Sequence, residues 1–426
     1  MLTKIQNFTE KYTNSLLLFE VIAFFTITLL IMNDISPVNK YDENAYLNHV
    51  RTILLSDNYW YLGDRNRMPL FNYFLSLFYN LNLSELDNYY NLKIANLALT
   101  SVLSFLFFLK INKKFENKFI LINLSFFILI IPTFALVHQL LVESIFFLGF
   151  CLLLIYFEQF YDDPTIQNSI KLGLSGALVY FLKYTGLTVF FAISLFTIIF
   201  GFINKRKNYI KKFFTVFLTF FTLVSPYLYE NYKNFNKHIF YNVNSEFYFW
   251  ADSWEEIVNG VRANNDRIGW PTMKDSELPS FSKYVSEHTL SDVYNRFLYG
   301  FKSIGIDYFS LNKLGSHITI ISLSVVILCF YLAKKKKVLN LLKPNYFDII
   351  TILTCGFIIF ASAFNSYIST GLRYTLPIAI PLFLMVFLKL DKINLENNNK
   401  TFSSILIYLI ILDVFILANS YINLLP

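Results

Sequence analysis

Long apolar runs separated by polar segments are the dominant pattern of this chain. The runs are about 17–25 residues long, which is the length that an α-helix needs to cross a bilayer. They lack the short alternating pattern of membrane β-strands. We therefore predict an all-α integral membrane protein with about eleven transmembrane helices. The predicted spans are about 16–34, 89–110, 119–136, 143–160, 170–184, 186–203, 213–229, 311–333, 346–365, 372–388 and 402–424.

A further apolar stretch, 69–83, is shorter and contains three asparagines. If it does not cross the membrane, every lysine-rich loop lies on the same side as the N-terminus, as the positive-inside rule requires. If it crossed, the Lys334–Lys337 run would face outside. We therefore predict that 69–83 is an interfacial or re-entrant helix and that the N-terminus is cytoplasmic. The lysine-rich loops are 110–118, 204–212, 334–343 and 389–400.

Composition supports the membrane class and excludes several functions. Hydrophobic residues make up 55% of the chain and charged residues only 15%, with a mean hydropathy of +0.47. The net charge of +7 is explained by cytoplasmic loops, so we expect no nucleic-acid partner. The three cysteines all fall in predicted spans, which argues against a disulfide framework. The sequence contains no phosphate-binding loop, HExxH, GxSxG or CxxC motif.

Two long external loops, about 35–88 and 230–310, follow from this topology. They contain all four tryptophans. Tryptophans of this kind either form an interfacial aromatic belt or stack on sugar rings or lipid in a groove at the membrane surface.

The first external loop contains the acidic pair Asp42-Glu43 at the start of a predicted helix, 43–55. Helical spacing places Asp42, Tyr46 and His49 on one face of it. Asp42 can cap this helix, or it can act as a general base at the membrane surface. The two interpretations are compatible, because a capping position also fixes the direction of a carboxylate.

Cationic side chains in the same region suit a phosphate ligand. Arg65 and Arg67 precede the 69–83 stretch, and guanidinium groups bind phosphate oxygens in pairs. The alternative is that they extend toward lipid headgroups.

Three short external turns carry further polar residues: Glu143, the pair Lys183-Tyr184, and the pair Arg373-Tyr374. Each alone is an ordinary interface residue. Together with Asp42 they map to one face of the membrane although the chain separates them widely, which indicates a site on that face.

Four segments, in this order, resemble the GT-C superfamily of polyprenyl-phosphate-dependent glycosyltransferases, particularly relatives of protein O-mannosyltransferase and lipid A aminoarabinose transferase. They are YDENAYL…RMPLFNYFLSLFY (41–79), LVESIFFLGFCLLLIYF (141–157), GLSGALVYFLKYTGLTVF (173–190) and LRYTLPIAIPLFLMV (372–386). Glu143 stands where relatives usually have Asp. The resemblance makes 1–390 a GT-C-like catalytic module and leaves 391–426 as a linker and last span.

The resemblance implies inverting transfer of a sugar from a polyprenyl-phosphate donor to a hydroxyl of a lipid, glycan or protein, on the extracytoplasmic face of a bacterial inner membrane. The resemblance does not imply any particular cofactor, although some members of the superfamily use a divalent metal. The implied catalytic residues are Asp42, Glu43 and Glu143. The residues implied to bind the donor phosphate are Arg65, Arg67, Lys183, Tyr184 and Arg373. The residues implied to contact the sugar or the acceptor are Tyr46, His49, Trp60 and Trp250.

Two other functions stay open. A transporter or flippase for lipid-linked saccharides would need polar residues along a path through the membrane. The centres of the predicted spans are nearly free of ionisable residues, with Asp413 as the exception. A non-catalytic membrane assembly subunit would not need the acidic residues at all.

Overall fold

A computed structural model describes residues 2–34, 41–55, 67–129, 139–203, 207–235, 239–240, 242, 247–261, 274, 276–309, 314–335, 339–368 and 375–395. Every regular element in these segments is helical. In chain order the helices are α1 (Leu2–Asp34), α2 (Tyr41–Leu55), α3 (Pro69–Ser76), α4 (Glu85–Asn112), α5 (Lys118–Ile128), α6 (Glu143–Asp162), α7 (Ile166–Leu182), α8 (Thr185–Ile203), α9 (Lys207–Asn234), α10 (Phe281–Glu287), α11 (Leu290–Phe309), α12 (Leu314–Lys335), α13 (Tyr346–Asn365) and α14 (Ala379–Leu395). Single turns occur at Trp254–Glu256, Ile257–Val261, Leu339–Leu342 and Leu376–Ile378.

Helices long and apolar enough to cross a bilayer number six among the described residues: α1, α4, α6, α8, α9 and α13. The chain is therefore a multi-pass membrane protein, as the hydropathy pattern predicts. The structure does not establish the predicted number of eleven. The described part of the 119–136 prediction is the shorter helix α5, and the last predicted span, 402–424, lies outside the described residues.

Polar side chains fix where several helices begin, because the first backbone N–H groups of a helix have no partner within it. Ser84 accepts from Asp87 at the start of α4, and Thr165 accepts from Asn168 at the start of α7. At α13, Asn345 and Asp348 form a reciprocal capping box.

Lysines from two of the predicted lysine-rich loops form ion pairs at one end of the helix bundle. Lys114, between α4 and α5, forms an ion pair with Glu158 near the end of α6. Lys389 in α14 lies 2.6 Å from Asp348 in the first turn of α13. These contacts define the lysine-rich end, and we call the opposite end, where α4 and α6 begin and α7 ends, the site end.

Close packing in the centre depends on small residues in α7. A Cβ at Gly173 would lie 2.5 Å from the Val216 carbonyl oxygen of α9. One turn further, a Cβ at Gly176 would lie 2.3 Å from the ring of Phe190 in α8. Glycines therefore let α7 approach both neighbours closely, a common arrangement in membrane helix bundles.

The short helix α3 agrees with the prediction that 69–83 does not cross the membrane. Its eight residues rise about 12 Å, far less than a bilayer requires. Phe71, Asn72 and Leu75 are buried where α3 packs against α2 and α7.

The loop predicted over 230–310 has more regular structure than its sequence indicated. Helix α9 continues to Asn234, and the 20-residue helix α11 packs against α12 and α13. A small apolar core that includes Phe235, Phe247 and Leu278 lies in this region.

Candidate functional site

Helix α2 carries the acidic pair, and it begins at Tyr41, two residues before the predicted start. Asp42 therefore lies inside the first turn and is not the predicted N-cap. Three other residues predicted for the site, Glu43, Tyr46 and His49, are buried on the same helix.

Glu43 joins α2 to two other parts of the bundle. Its Oε1 accepts the backbone N–H of Leu140 at 2.8 Å, and the Tyr89 hydroxyl of α4 also hydrogen-bonds to this carboxylate. A buried carboxylate is tolerated only when donors of this kind replace water. Glu43 thus fixes the chain immediately before α6.

Asn96 of α4 binds the same segment, immediately before α6. Its side-chain amide donates to the carbonyl oxygens of Gln139 at 3.2 Å and Leu141 at 3.4 Å. With the Glu43 contact, these bonds set the position at which α6 begins. Sequence reasoning did not single out Asn96, because its partners are more than 40 residues away.

Glu143 is the first residue of α6 and is buried. Its Oε1 accepts a hydrogen bond from Lys183 Nζ at 3.0 Å, which makes a largely buried ion pair. The partial positive charge at a helix N-terminus also favours a carboxylate there. Two residues predicted separately for the site are therefore in direct contact.

The turn between α7 and α8 places Lys183 for this contact. Helix α7 ends at Leu182, and Lys183 adopts extended backbone dihedrals. Gly186 then passes so close to α7 that a Cβ would lie 2.2 Å from the Val179 carbonyl oxygen. A larger residue than glycine could not hold this turn without moving the backbone.

Lys93 is a further cation at the site end that sequence analysis missed. It is buried one turn after Tyr89 on α4, with Nζ 4.7 Å from the centre of the Tyr89 ring. The signal was present, since Lys93 is a charged residue inside the predicted span 89–110, where such residues are rare.

Arg67 lies beside helices α2 and α3. Its guanidinium lies 5.2 Å from the ring centre of Tyr46, which in turn packs edge-on against Phe71 of α3. Arg67 is thereby placed next to the α2 face that carries Glu43.

Two other predicted residues pack against aromatic side chains. Tyr184 packs edge-on against Tyr180 in the bundle core. Trp250 packs against Phe281, Tyr284 and Phe364. The residues Trp60, Arg65 and Arg373 lie outside the described part of the chain.

Metal ligands do not cluster in the segments that the structure describes. No group of three or more His, Cys, Asp and Glu side chains there could hold a metal ion.

Comparisons with known proteins give one structural likeness. No protein-family model matches the chain, and no curated protein matches it. The chain resembles the crystal structure of ArnT from Cupriavidus metallidurans bound to undecaprenyl phosphate, with 9% sequence identity and a TM-score of 0.40 over 87% of this chain and 77% of that chain. A likeness this distant assigns no role to any residue.

Proposed function

We propose that the protein is a membrane glycosyltransferase that transfers a sugar from a polyprenyl-phosphate donor to an acceptor hydroxyl, with inversion. The reaction takes place at the site end of the bundle. The observation that carries the proposal is that the buried Glu43 and the largely buried ion pair of Glu143 and Lys183 both hold the start of α6, although these residues lie up to 140 positions apart in the chain.

Burial distinguishes Glu43, Glu143 and Lys93 from ordinary interface residues. Interfacial acids and lysines normally extend into water or among headgroups. Glu43, Glu143 and Lys93 instead have at most 4% of their surface exposed. Because buried charges cost folding free energy, the placement of these three at the site end supports a functional role there.

In the proposed reaction, Asp42 removes the proton from the acceptor hydroxyl. The hydroxyl oxygen forms a bond to the anomeric carbon of the sugar from the side opposite the phosphate. The bond between the anomeric carbon and the phosphate oxygen breaks, and its electron pair leaves with the polyprenyl phosphate. Glu43 and Glu143 orient the base and the acceptor.

Cations neutralise the charge that develops on the departing phosphate, where fixed positive groups are most effective. This role is proposed for Lys183 and Arg67, together with Arg65 and Arg373, and the Tyr184 hydroxyl is proposed to donate a hydrogen bond to the same phosphate. Tyr46, His49, Trp60 and Trp250 are proposed to contact the sugar or the acceptor.

The proposed location is a bacterial inner membrane with the N-terminus in the cytoplasm. The site end then faces the extracytoplasmic side, where a lipid-linked donor is available. The partners are the polyprenyl-phosphate sugar, membrane lipids, and a lipid, glycan or protein acceptor.

The test is turnover by purified Asp42→Asn protein in lipid nanodiscs. A panel of polyprenyl-phosphate hexoses and pentoses serves as donors, with release of free polyprenyl phosphate as the readout. Loss of a general base should reduce turnover by about 100-fold or more. Glu85→Gln is the matched control, because Glu85 is an exposed acid at the same end of the bundle. Unchanged turnover in Asp42→Asn would refute the assignment of the base.

One observation favours the transporter alternative. Glu20 lies inside the span Phe8–Met32 and accepts a hydrogen bond from Ser125 of α5, so this span contains an ionisable residue although the centres of the spans were expected to be nearly free of them. A transporter should lose flux of a fluorescent lipid-linked saccharide in Glu20→Gln and keep it in Asp42→Asn. The glycosyltransferase should show the opposite sensitivity in its turnover.

A further inference from the structure

Helix α11 has two distinct faces. One face packs against the bundle through residues such as Arg296, Phe297 and Gly300. A second face carries Leu290, Tyr294, Leu298 and Phe301, all exposed, at spacings of four, four and three residues. This spacing makes a continuous apolar stripe along a helix. We call these four residues the α11 stripe.

Contacts at the inner face fix where α11 lies on the molecule. Arg296 donates to the carbonyl oxygen of Phe364 at 3.0 Å, next to the last residue of the span α13. Its guanidinium lies 4.1 Å from the centre of the Phe364 ring. Because α13 begins at the lysine-rich end, Phe364 and the contacting part of α11 lie at the site end.

The α11 stripe is continuous with the lipid-facing surface of α13. Phe360 of α13 is 52% exposed, and Phe297 stacks on its ring at a centroid distance of 4.1 Å. Phe301, a stripe residue, lies 6.3 Å from the same ring. In a membrane-spanning helix, an exposed aromatic residue of this kind faces acyl chains. The stripe therefore extends a surface that lipid already covers.

Exposed polar side chains lie on another side of α11. Asp292, Asn295 and Lys302 are exposed there, beside the exposed side chains of Tyr299 and Ile306. An apolar stripe flanked by exposed polar side chains is the pattern of a helix that lies in the membrane interface.

We propose that α11 is an interfacial helix whose stripe inserts among the acyl chains of the leaflet at the site end. The occupant of this surface is the lipid bilayer itself. The proposal is independent of the glycosyltransferase assignment, because it depends only on the exposed residues of α11 and their continuity with α13. It changes the prediction for 230–310, whose last 20 residues would follow the membrane rather than project into water.

Site-directed spin labelling tests the proposal on purified protein in proteoliposomes. Nitroxide labels are attached to Tyr294→Cys, Leu298→Cys and the matched control Asn295→Cys. The three native cysteines are buried, so labelling of the unmodified protein measures the background. Labels at 294 and 298 should collide often with oxygen, which concentrates in lipid, and rarely with a water-soluble nickel chelate. The label at 295 should show the reverse.

Two outcomes would overturn the proposal. One is equal access of the nickel chelate to all three labels, which would place the stripe in water. The other is strong dipolar broadening at 294 and 298, which would show that a second copy covers the stripe.

A second measurement needs no variant. A lipid with a photoreactive group in its acyl chain should form adducts with peptides from 290–309 of the unmodified protein, as it should with α13. Labelling of the α13 peptides without any labelling of 290–309 would contradict the proposal.

Discussion

Lys183 Nζ lies 3.0 Å from Glu143 Oε1, and only 18% and 6% of the two side chains are exposed. The pair Arg51 and Glu85 lies at the same end of the bundle, at 3.4 Å, with 55% and 74% exposed. The two ion pairs therefore differ mainly in their contact with water. This difference sets opposite expectations for their contribution to stability.

Lys183→Met should destabilise the protein strongly, because it leaves the Glu143 carboxylate buried without its cation. Breaking a buried pair in this way typically costs about 3–5 kcal/mol. Arg51→Met should change the free energy of unfolding by less than about 1 kcal/mol, since exposed pairs contribute little. Denaturant unfolding in detergent micelles measures both.

The double variant Glu143→Gln/Lys183→Met gives the control for this prediction. Because it removes both charges, its destabilisation should be smaller than the sum of the two single variants. Additive effects would show that the two side chains act independently despite their contact.

Glu43→Ala should release the chain before α6. The carboxylate accepts the Leu140 N–H, and a hydrogen bond to a charged group contributes about 1.5–3 kcal/mol. Amide hydrogen exchange at 139–142 should therefore become about tenfold faster or more, whereas Tyr89→Phe, which keeps the Leu140 bond, should have a smaller effect. Equal protection in Glu43→Ala and the unmodified protein would disprove the anchoring role.

The sequence identified residues for the candidate site but not the contacts between them. Glu143 and Lys183 were identifiable because charged residues stand out at short turns between apolar runs. Their mutual ion pair depends on how α6 packs against α7, which no local pattern encodes. Asn96 was missed for the same reason, since its partners lie in a distant segment.

The second external loop was the least predictable part of the fold. Helix α11 mixes charged, polar and apolar residues along its length, so its hydropathy resembles that of a loop. Its inner face becomes recognisable only through contact with Phe360 and Phe364 of α13.

Two exposed residues, one at each end of the bundle, should differ in their accessibility to a membrane-impermeant reagent added outside the cell. Asn82, between α3 and α4, lies at the site end, and Asn340, between α12 and α13, lies at the lysine-rich end. In intact spheroplasts, a membrane-impermeant maleimide should label Asn82→Cys, and it should label Asn340→Cys only after the membrane is permeabilised. The reverse pattern would invert the proposed orientation.

Gly300 and Gly305 offer a matched pair of substitutions on α11. A Cβ at Gly300 would lie 1.8 Å from the Ala363 carbonyl oxygen of α13, and backbone cannot move aside as a flexible side chain can. Gly300→Ala should therefore separate α11 from α13 and destabilise the protein by about 1–3 kcal/mol, the usual cost of overpacking.

At Gly305 the added methyl group meets nothing within 4 Å. Gly305→Ala should consequently keep or raise stability by up to about 1 kcal/mol, because alanine favours a helix more than glycine does. Thermal unfolding of the two variants, followed by the far-UV circular dichroism signal, compares them directly. If Gly300→Ala were as stable as Gly305→Ala, the close approach of α11 and α13 would be wrong, and with it the continuity of the α11 stripe with the surface of the span.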